Sequence, residues 1–182
     1  MLHRSSTYSI VLCGMCVALL VVSCLFTIPI GPVPFTLQTM VVILIALLLP
    51  PKQAALTCLV YLVMGAIGLP VFSNMTGGFA KIIGPTGGFL LSYPIGTFVA
   101  SSVRQALEKS QCKQLVSDIA AAACIIVISD VLGWLWLMVV TASDPLSAFL
   151  MADAPFIVID CCKAVVSIGI AKAVRAALPR TS

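Results

Sequence analysis

The sequence predicts an all-α membrane protein with six transmembrane helices and N- and C-termini cytoplasmic, organised as a single membrane-embedded domain over residues 1–182. Three observations lead there. First, 61% of the 182 residues are hydrophobic and only 9% are charged, where soluble domains carry about 25% charged residues; mean hydropathy is +1.19. Second, apolar runs recur along the whole chain, separated by segments rich in proline, glycine or charge. Third, six spans with the N-terminus inside put Arg4, Lys52, Arg104, Lys109, Lys113, Lys172, Arg175 and Arg180 on the cytoplasmic side and Lys81 alone outside, a positive-inside pattern. The net charge of +4 therefore reads as topology. The basic residues form no run or aromatic-interleaved stripe of the kind a nucleic-acid surface needs.

The first run, residues 8–28, follows a short head with His3 and Arg4 and resembles a signal peptide. Because everything after it is equally apolar, it reads as the first span. Gly14 and Ala18 give that span a small-xxx-small face suited to close helix packing. Residues 28–36, IPIGPVPFT, hold three prolines and a glycine, which predicts an extended loop. Irregular backbone this apolar belongs where it is buried or lines a cavity. The second run, 37–49, stops at Pro50-Pro51-Lys52, and the third, 53–68, closes at Gly65 and Gly68.

Seven of the twelve glycines lie between 65 and 88. The segment 68–88, GLPVFSNMTGGFAKIIGPTGG, is long for a connector and predicts a lid in which Gly77 and Gly78 let backbone amides approach a small molecule. The fourth span, 89–107, is expected to be interrupted at Pro94 and Gly96. The fifth covers 115–141, with Asp118 read as a helix N-terminal acid, Asp130 deep inside, and Trp134 and Trp136 at the interfacial end. Asp144-Pro145 reads as the N-cap and first residue of a short helix.

The sixth run opens with PFIVIDCCK, residues 155–163, and carries Asp160 and Lys163. Three residues apart on a helix, they share a face. Each costs about 2.5–3.5 kcal/mol at the centre of a membrane helix, so the pair marks a site more readily than a decoration. The topology turns it outward, beneath the three outer loops, with Lys163 roughly 12 Å below Pro155. An outward pocket with one ammonium and one carboxylate suits a small anionic solute with polar N–H groups. Lys163 would take a carboxylate and Asp160 would accept ligand donors, while Gln38, Asn74, Thr76 and Thr86 orient the remainder. Asp130 either pairs with Lys163 or caps a water-filled cleft.

Enzymatic activity is not expected. The single histidine is His3; no metal constellation, nucleophile elbow or ATP-binding motif occurs. The eight cysteines fall almost entirely within apolar segments and read as packing residues, Cys13-x-x-Cys16 included. No cofactor or metal is implied. The chemistry points to a transporter subunit that binds without energising.

Five blocks, GPVPFTLQT (31–39), YLVMGAIGLPVF (61–72), GPTGGFL (84–90), GWLWL (133–137) and PFIVIDCCK (155–163), together resemble the BioY family, the biotin-binding S components of energy-coupling factor (ECF) transporters. The resemblance runs through essentially the whole chain in order. It implies a six-helix protein of the cell membrane that captures biotin from outside and works with an ECF transmembrane coupling subunit and two ATPase subunits. By the same resemblance Asp160 and Lys163 contact biotin, Asn74 matches a loop asparagine, and Gly14 and Ala18 fall where the coupling subunit docks. Departures are Ile159 in place of glycine, Phe89 in place of tyrosine, and an acid at Asp130. Ile159 and Asp130 bear on the ligand, leaving another small vitamin or a biotin precursor as the alternative within transport. A structural membrane protein whose charge pair only neutralises itself is the alternative outside it.

Overall fold

The computed structural model of the chain describes residues 6–29 and 33–177. Arg4, Arg180 and residues 30–32 of the proline-rich loop, all used above, lie outside them. Among the described residues the protein is helical: α1 (Ser6–Ser23), α2 (Gln38–Leu48), α3 (Pro51–Ala66), the short α4 (Phe79–Ile83), α5 (Gly87–Lys109), α6 (Gln114–Thr141), the short α7 (Pro145–Ala152) and α8 (Ile157–Ala177). Extended pairing is limited to two isolated bridges, Ile28 with Phe35 and Phe72 with Thr76. The six longer helices fall on the six expected apolar runs.

Local chemistry sets several boundaries. Pro50 ends α2, and Pro51 occupies the first turn of α3, where a missing N–H is no loss. Asp144 caps α7 as expected, accepting from Ser147 N–H at 3.0 Å. That bond holds its carboxyl below the usual carboxylate range. Pro94, expected to interrupt the fourth span, sits inside a continuous helix. Hydroxyls beside it turn back onto the carbonyl row, Ser92 Oγ to Phe89 O at 2.6 Å and Thr97 Oγ1 to Tyr93 O at 2.7 Å. Neither bond reaches the Leu90 carbonyl, which Pro94 leaves without its usual helical donor.

α8 is arranged inside out relative to a helix of a soluble bundle, and α1 exposes large apolar residues in the same way. The buried face of α8 is Asp160, Lys163, Ala164, Ser167 and Ala171, at helical spacing. Its exposed residues include Val158, Val165, Val166 and Ile170. α1 likewise exposes Ile10, Val11, Met15 and Leu19. In water this pattern would be reversed. Among the described residues α6 alone is long and apolar enough by itself to cross a membrane. α5 and α8 carry several charged residues each, and α2 is short, with 11 residues.

α5 and α6 form the most extensive helix contact, and a four-residue repeat explains it. Gly88, Ser92, Gly96 and Ala100 are buried along α5; Ser117, Ala121, Ile125, Ser129, Gly133 and Leu137 are buried along α6. Small residues spaced by four let helix backbones approach closely in an apolar medium. A Cβ on Gly88 would run into Trp136 and the Leu132 carbonyl, and one on Gly133 into the Phe89 ring.

At the end away from the 24–37 and 67–86 loops, polar ties close the bundle. Ser101 Oγ donates to Leu49 O at 2.6 Å. Arg175 donates two parallel hydrogen bonds, at 3.0 and 2.9 Å, to Asp118, which is 3% exposed. Asp118 is thus not a first-turn acid serving the helix dipole, as its position suggested. It lies a turn further in and neutralises a cation on α8.

The α7–α8 connector holds a carboxyl without such help. Asp153 is 3% exposed, and its Oδ1 has no hydrogen-bond partner among the described residues. Burial, then the nearby Asp130 and Asp160 charges, push it up to about 7.

Two expected outcomes follow from this packing. Gly88→Ala must displace the Leu132 backbone and is expected to destabilise the protein by about 1–3 kcal/mol, as overpacking does, read as a lowered midpoint of thermal unfolding in detergent. Asp153 has a folded-state pKa above its unfolded value, so its contribution is fully present below about pH 4 and is lost as pH rises through about 7. The unfolding temperature of the wild type should fall between pH 5 and pH 8. Asp153→Asn should flatten that decline and be the more stable form at pH 8.

Candidate functional site

α8 begins at a connector and runs inward with its polar stripe facing α2 and α6. Asp160 and Lys163 lie on that stripe one turn apart, and Lys163 Nζ donates to Asp160 Oδ1 at 2.8 Å. Both side chains are 8% exposed. The ammonium also stands 4.5 Å from the centre of the Phe35 ring, a cation–π contact. Ser167, one turn further in, donates to both the Lys163 and Met40 carbonyls, at 2.7 and 2.9 Å, and so fastens α8 to α2.

Above the pair lies a cleft with an open mouth. Phe35, Phe89, Tyr93 and Phe156 supply apolar wall. Thr36, Gln38, Thr39, Ser73, Thr86, Ser129 and Asp130 supply polar groups around it, and Asp160 and Lys163 complete the lining. Lys163 has three N–H donors, and Asp160 two acceptor oxygens. Their mutual bond leaves part of each available to a ligand.

Of the residues singled out from sequence, the fold brings Gln38, Thr86, Asp160 and Lys163 onto this one cleft. Asn74, Gly77 and Gly78 are not among its lining residues. Asn74 is exposed in a left-handed turn (φ 60°), beside Ser73, which does line the cleft. Thr76 turns its hydroxyl onto Ser73 O at 2.7 Å. The close approach that glycines permit is spent on the protein itself: a Cβ on Gly77 would strike the Leu69 carbonyl, and Gly78 N–H donates to Gly65 O at 2.7 Å. Ile159 is 36% exposed and absent from the lining. One residue from Asp160 is about 100° around the helix, so its side chain leaves the cleft, contrary to its expected influence on pocket shape. Gly14 and Ala18 are exposed on α1, and nothing approaches Gly14 within 4 Å of where a Cβ would sit. Asp130 does not pair with Lys163; it faces the cleft and takes part in no ion pair among the described residues.

Two positioning residues escaped the sequence reading. Tyr61 is fully buried on α3, and its hydroxyl receives Gln38 Nε2 at 2.5 Å and donates to Val71 O at 2.8 Å. Cys24 Sγ lies 3.2 Å from the same oxygen, and the ring packs edge-on against Phe72. One phenol thereby orients the amide of Gln38 and joins two loops over the cleft. Trp136 donates its indole N–H to Gly84 O at 2.9 Å and packs on Gly88, pinning the far end of the glycine-rich segment to α6. Trp134 does the same for α7 through Pro145 O at 2.9 Å. As interfacial aromatics they had been assigned to lipid. The usable signal was their register, since Trp136 faces the glycine pair across a helix contact made of small residues.

Known proteins resemble this chain in sequence and fold. A probable biotin transporter BioY of Pyrococcus horikoshii is 38% identical over 156 residues, covering 86% of this chain and 89% of the relative. The biotin transporter BioY2 of Lactococcus lactis is 34% identical over 165 residues, covering 90% and 88%. The crystal structure at 2.1 Å of the S-component for biotin from an ECF-type ABC transporter superposes with a TM-score of 0.88 at 25% identity, over 97% of this chain and 95% of that one. A sequence model of the BioY family matches residues 1–180. With a helical fold shared nearly end to end, the chain belongs to the BioY family.

Proposed function

We propose that this protein is the biotin-capturing S component of an ECF-type transporter, a single membrane-embedded domain of six spans with both termini in the cytoplasm. The observation that carries the reading is the buried Asp160–Lys163 pair at the floor of a cleft walled by aromatic rings and small polar groups, in a chain of the BioY family. Biotin has a carboxylate for an ammonium, a ureido group for carboxylate and amide partners, and an apolar body for the rings. Gln38, Thr86, Asp160 and Lys163 act as its polar contacts in this reading; Asn74, Gly77 and Gly78 belong to the lid segment, Asn74 approaching by a change in its left-handed turn.

The orientation is supported by charge. Lys52, Arg104, Lys109, Lys113, Lys172 and Arg175 all belong to the end away from the cleft, and Lys81 alone lies beside it. Positive residues favour the cytoplasm, which leaves the cleft open to the outside of the cell membrane. Gly14 and Ala18, exposed on an apolar face of α1, form the docking stripe for the coupling subunit, and two ATPase subunits supply the energy. The role is binding rather than catalysis. Asp130 in the cleft wall favours one further reading, a related small vitamin or biotin precursor as cargo, which competition against biotin separates.

Calorimetry on the purified protein is expected to show tight biotin binding. Lys163→Ala leaves Asp160 buried without a counter-charge and should weaken binding about a hundredfold or more, in line with losses of 2–5 kcal/mol for such pairs. A well-folded wild type that takes no biotin would sink the reading; binding untouched by Lys163→Ala and Asp160→Asn would sink the site. Tyr61→Phe removes the hydroxyl that orients Gln38 and should cost about 1–3 kcal/mol of stability by leaving buried partners unmet, with a several-fold rise in the biotin dissociation constant.

A further inference from the structure

The cleft holds more negative than positive charge. Asp130 and Asp160 both line it, against Lys163 as its single cation among the described residues. Lys163 is already committed to Asp160 at 2.8 Å. Asp130 has no cationic partner among those residues. Its surroundings offer no cation besides the Lys163 already bonded to Asp160. The helices packed on α6 are α2, α5, α7 and α8. α5 contributes Tyr93 at this level, α8 contributes Asp160 and Lys163, and α2 and α7 contain no acid or base. The α7–α8 connector adds a third acid, Asp153, buried and itself unpaired. Asp118 and the remaining basic residues of α5 and α8 lie at the other end of the bundle, where Asp118 is matched by Arg175.

An anionic ligand would add a further negative charge to this enclosure. Like charges in one poorly solvated site cannot all stay ionised, and the group lacking a partner is the one that accepts a proton. Asp160 is bonded to its ammonium and Asp153 does not line the cleft, which leaves Asp130 as the cleft's acid without a cationic partner among the described residues.

We propose that Asp130 is a ligand-facing residue of the cleft and carries a proton when an anionic ligand is bound, so that capture of one carboxylate takes up one proton. This deepens the reading of the cleft as a biotin site and rests on it. The balance is simple: an ionised Asp130, one proton from the medium and one ligand carboxylate give a neutral acid beside a bound carboxylate, and no other bond changes. The neutral acid also brings an O–H donor where the ionised one offers acceptors only.

The test is calorimetric titration of the full chain with biotin, in buffers of different ionisation enthalpy, between pH 6 and pH 9. The wild type is expected to take up a fraction of a proton per biotin that rises toward one with pH, with affinity falling by up to tenfold per pH unit in that range. Asp130→Asn is expected to take up none, to bind with an affinity that no longer follows pH, and to bind more tightly than the wild type at pH 9. Asp153→Asn should keep the uptake. Tight biotin binding by the wild type without proton uptake overturns the proposal and leaves the biotin reading standing. Uptake that persists in Asp130→Asn and vanishes in Asp153→Asn overturns the assignment to Asp130. A folded Asp130→Asn that binds no biotin at any pH overturns it too, because the ionised carboxylate would then be the required acceptor. A folded wild type that binds no biotin at any pH removes the biotin reading and the proposal with it.

Discussion

The constraint that orders this molecule is that helix faces turned to lipid must be apolar, so most polar and small residues of α5, α6 and α8 turn inward, while α2 buries large apolar side chains. With apolar side chains such as Val165 and Val158 at 70% and 72% exposure, helix association cannot draw on removing hydrocarbon from water. Close backbone approach and specific polar ties replace it. Hence the ridge of Gly88, Ser92, Gly96 and Ala100 against Ser117, Ala121, Ile125, Ser129 and Gly133, the twin hydrogen bonds from Arg175 to Asp118, and the Ser167 hydroxyl hydrogen shared between the Met40 carbonyl of α2 and the Lys163 carbonyl of α8. The cleft results from the same rule, because a polar stripe that cannot face lipid must face another helix or a cavity. Asp160 and Lys163 face both each other and the cavity.

Helix existence was legible because composition and proline punctuation act locally. Each apolar run became a helix, and Asp144 capped α7 through its own side chain. Pro94 misled because a helix can continue through one missing N–H when it is held from outside, and α5 is packed against both α6 and α3. Asp118 misled for a similar reason. Its position near a helix start suggested a dipole partner, while its true partner, Arg175, is 57 residues away.

Within the site, legibility tracked the price of burial. Asp160 and Lys163 were visible because charges are conspicuous in apolar sequence. Gln38 and Thr86 were visible as polar residues flanking proline- and glycine-rich loops. Tyr61 was invisible: one aromatic in an apolar run looks like packing until its hydroxyl is seen to hold Gln38 and Val71. The glycines of 77–88 stand out for their freedom of approach, but Gly77 and Gly88 use it against Leu69 and Trp136, and Gly78 alone among them has open space where a Cβ would sit. Ile159 shows the limit of adjacency on a helix, where the residue next to a site residue points elsewhere.

The contact of Trp136 with Gly84 and Gly88 carries an evolutionary consequence. The indole bonds the Gly84 carbonyl, while side chains at 87 and 88 would meet the Ile82 and Leu132 backbone carbonyls as well as Trp136. Because backbone and the Cβ of residue 136 already fill that space, a smaller side chain at 136 does not make room for a larger one at 88. Relatives should therefore keep glycine at 88 whatever stands at 136.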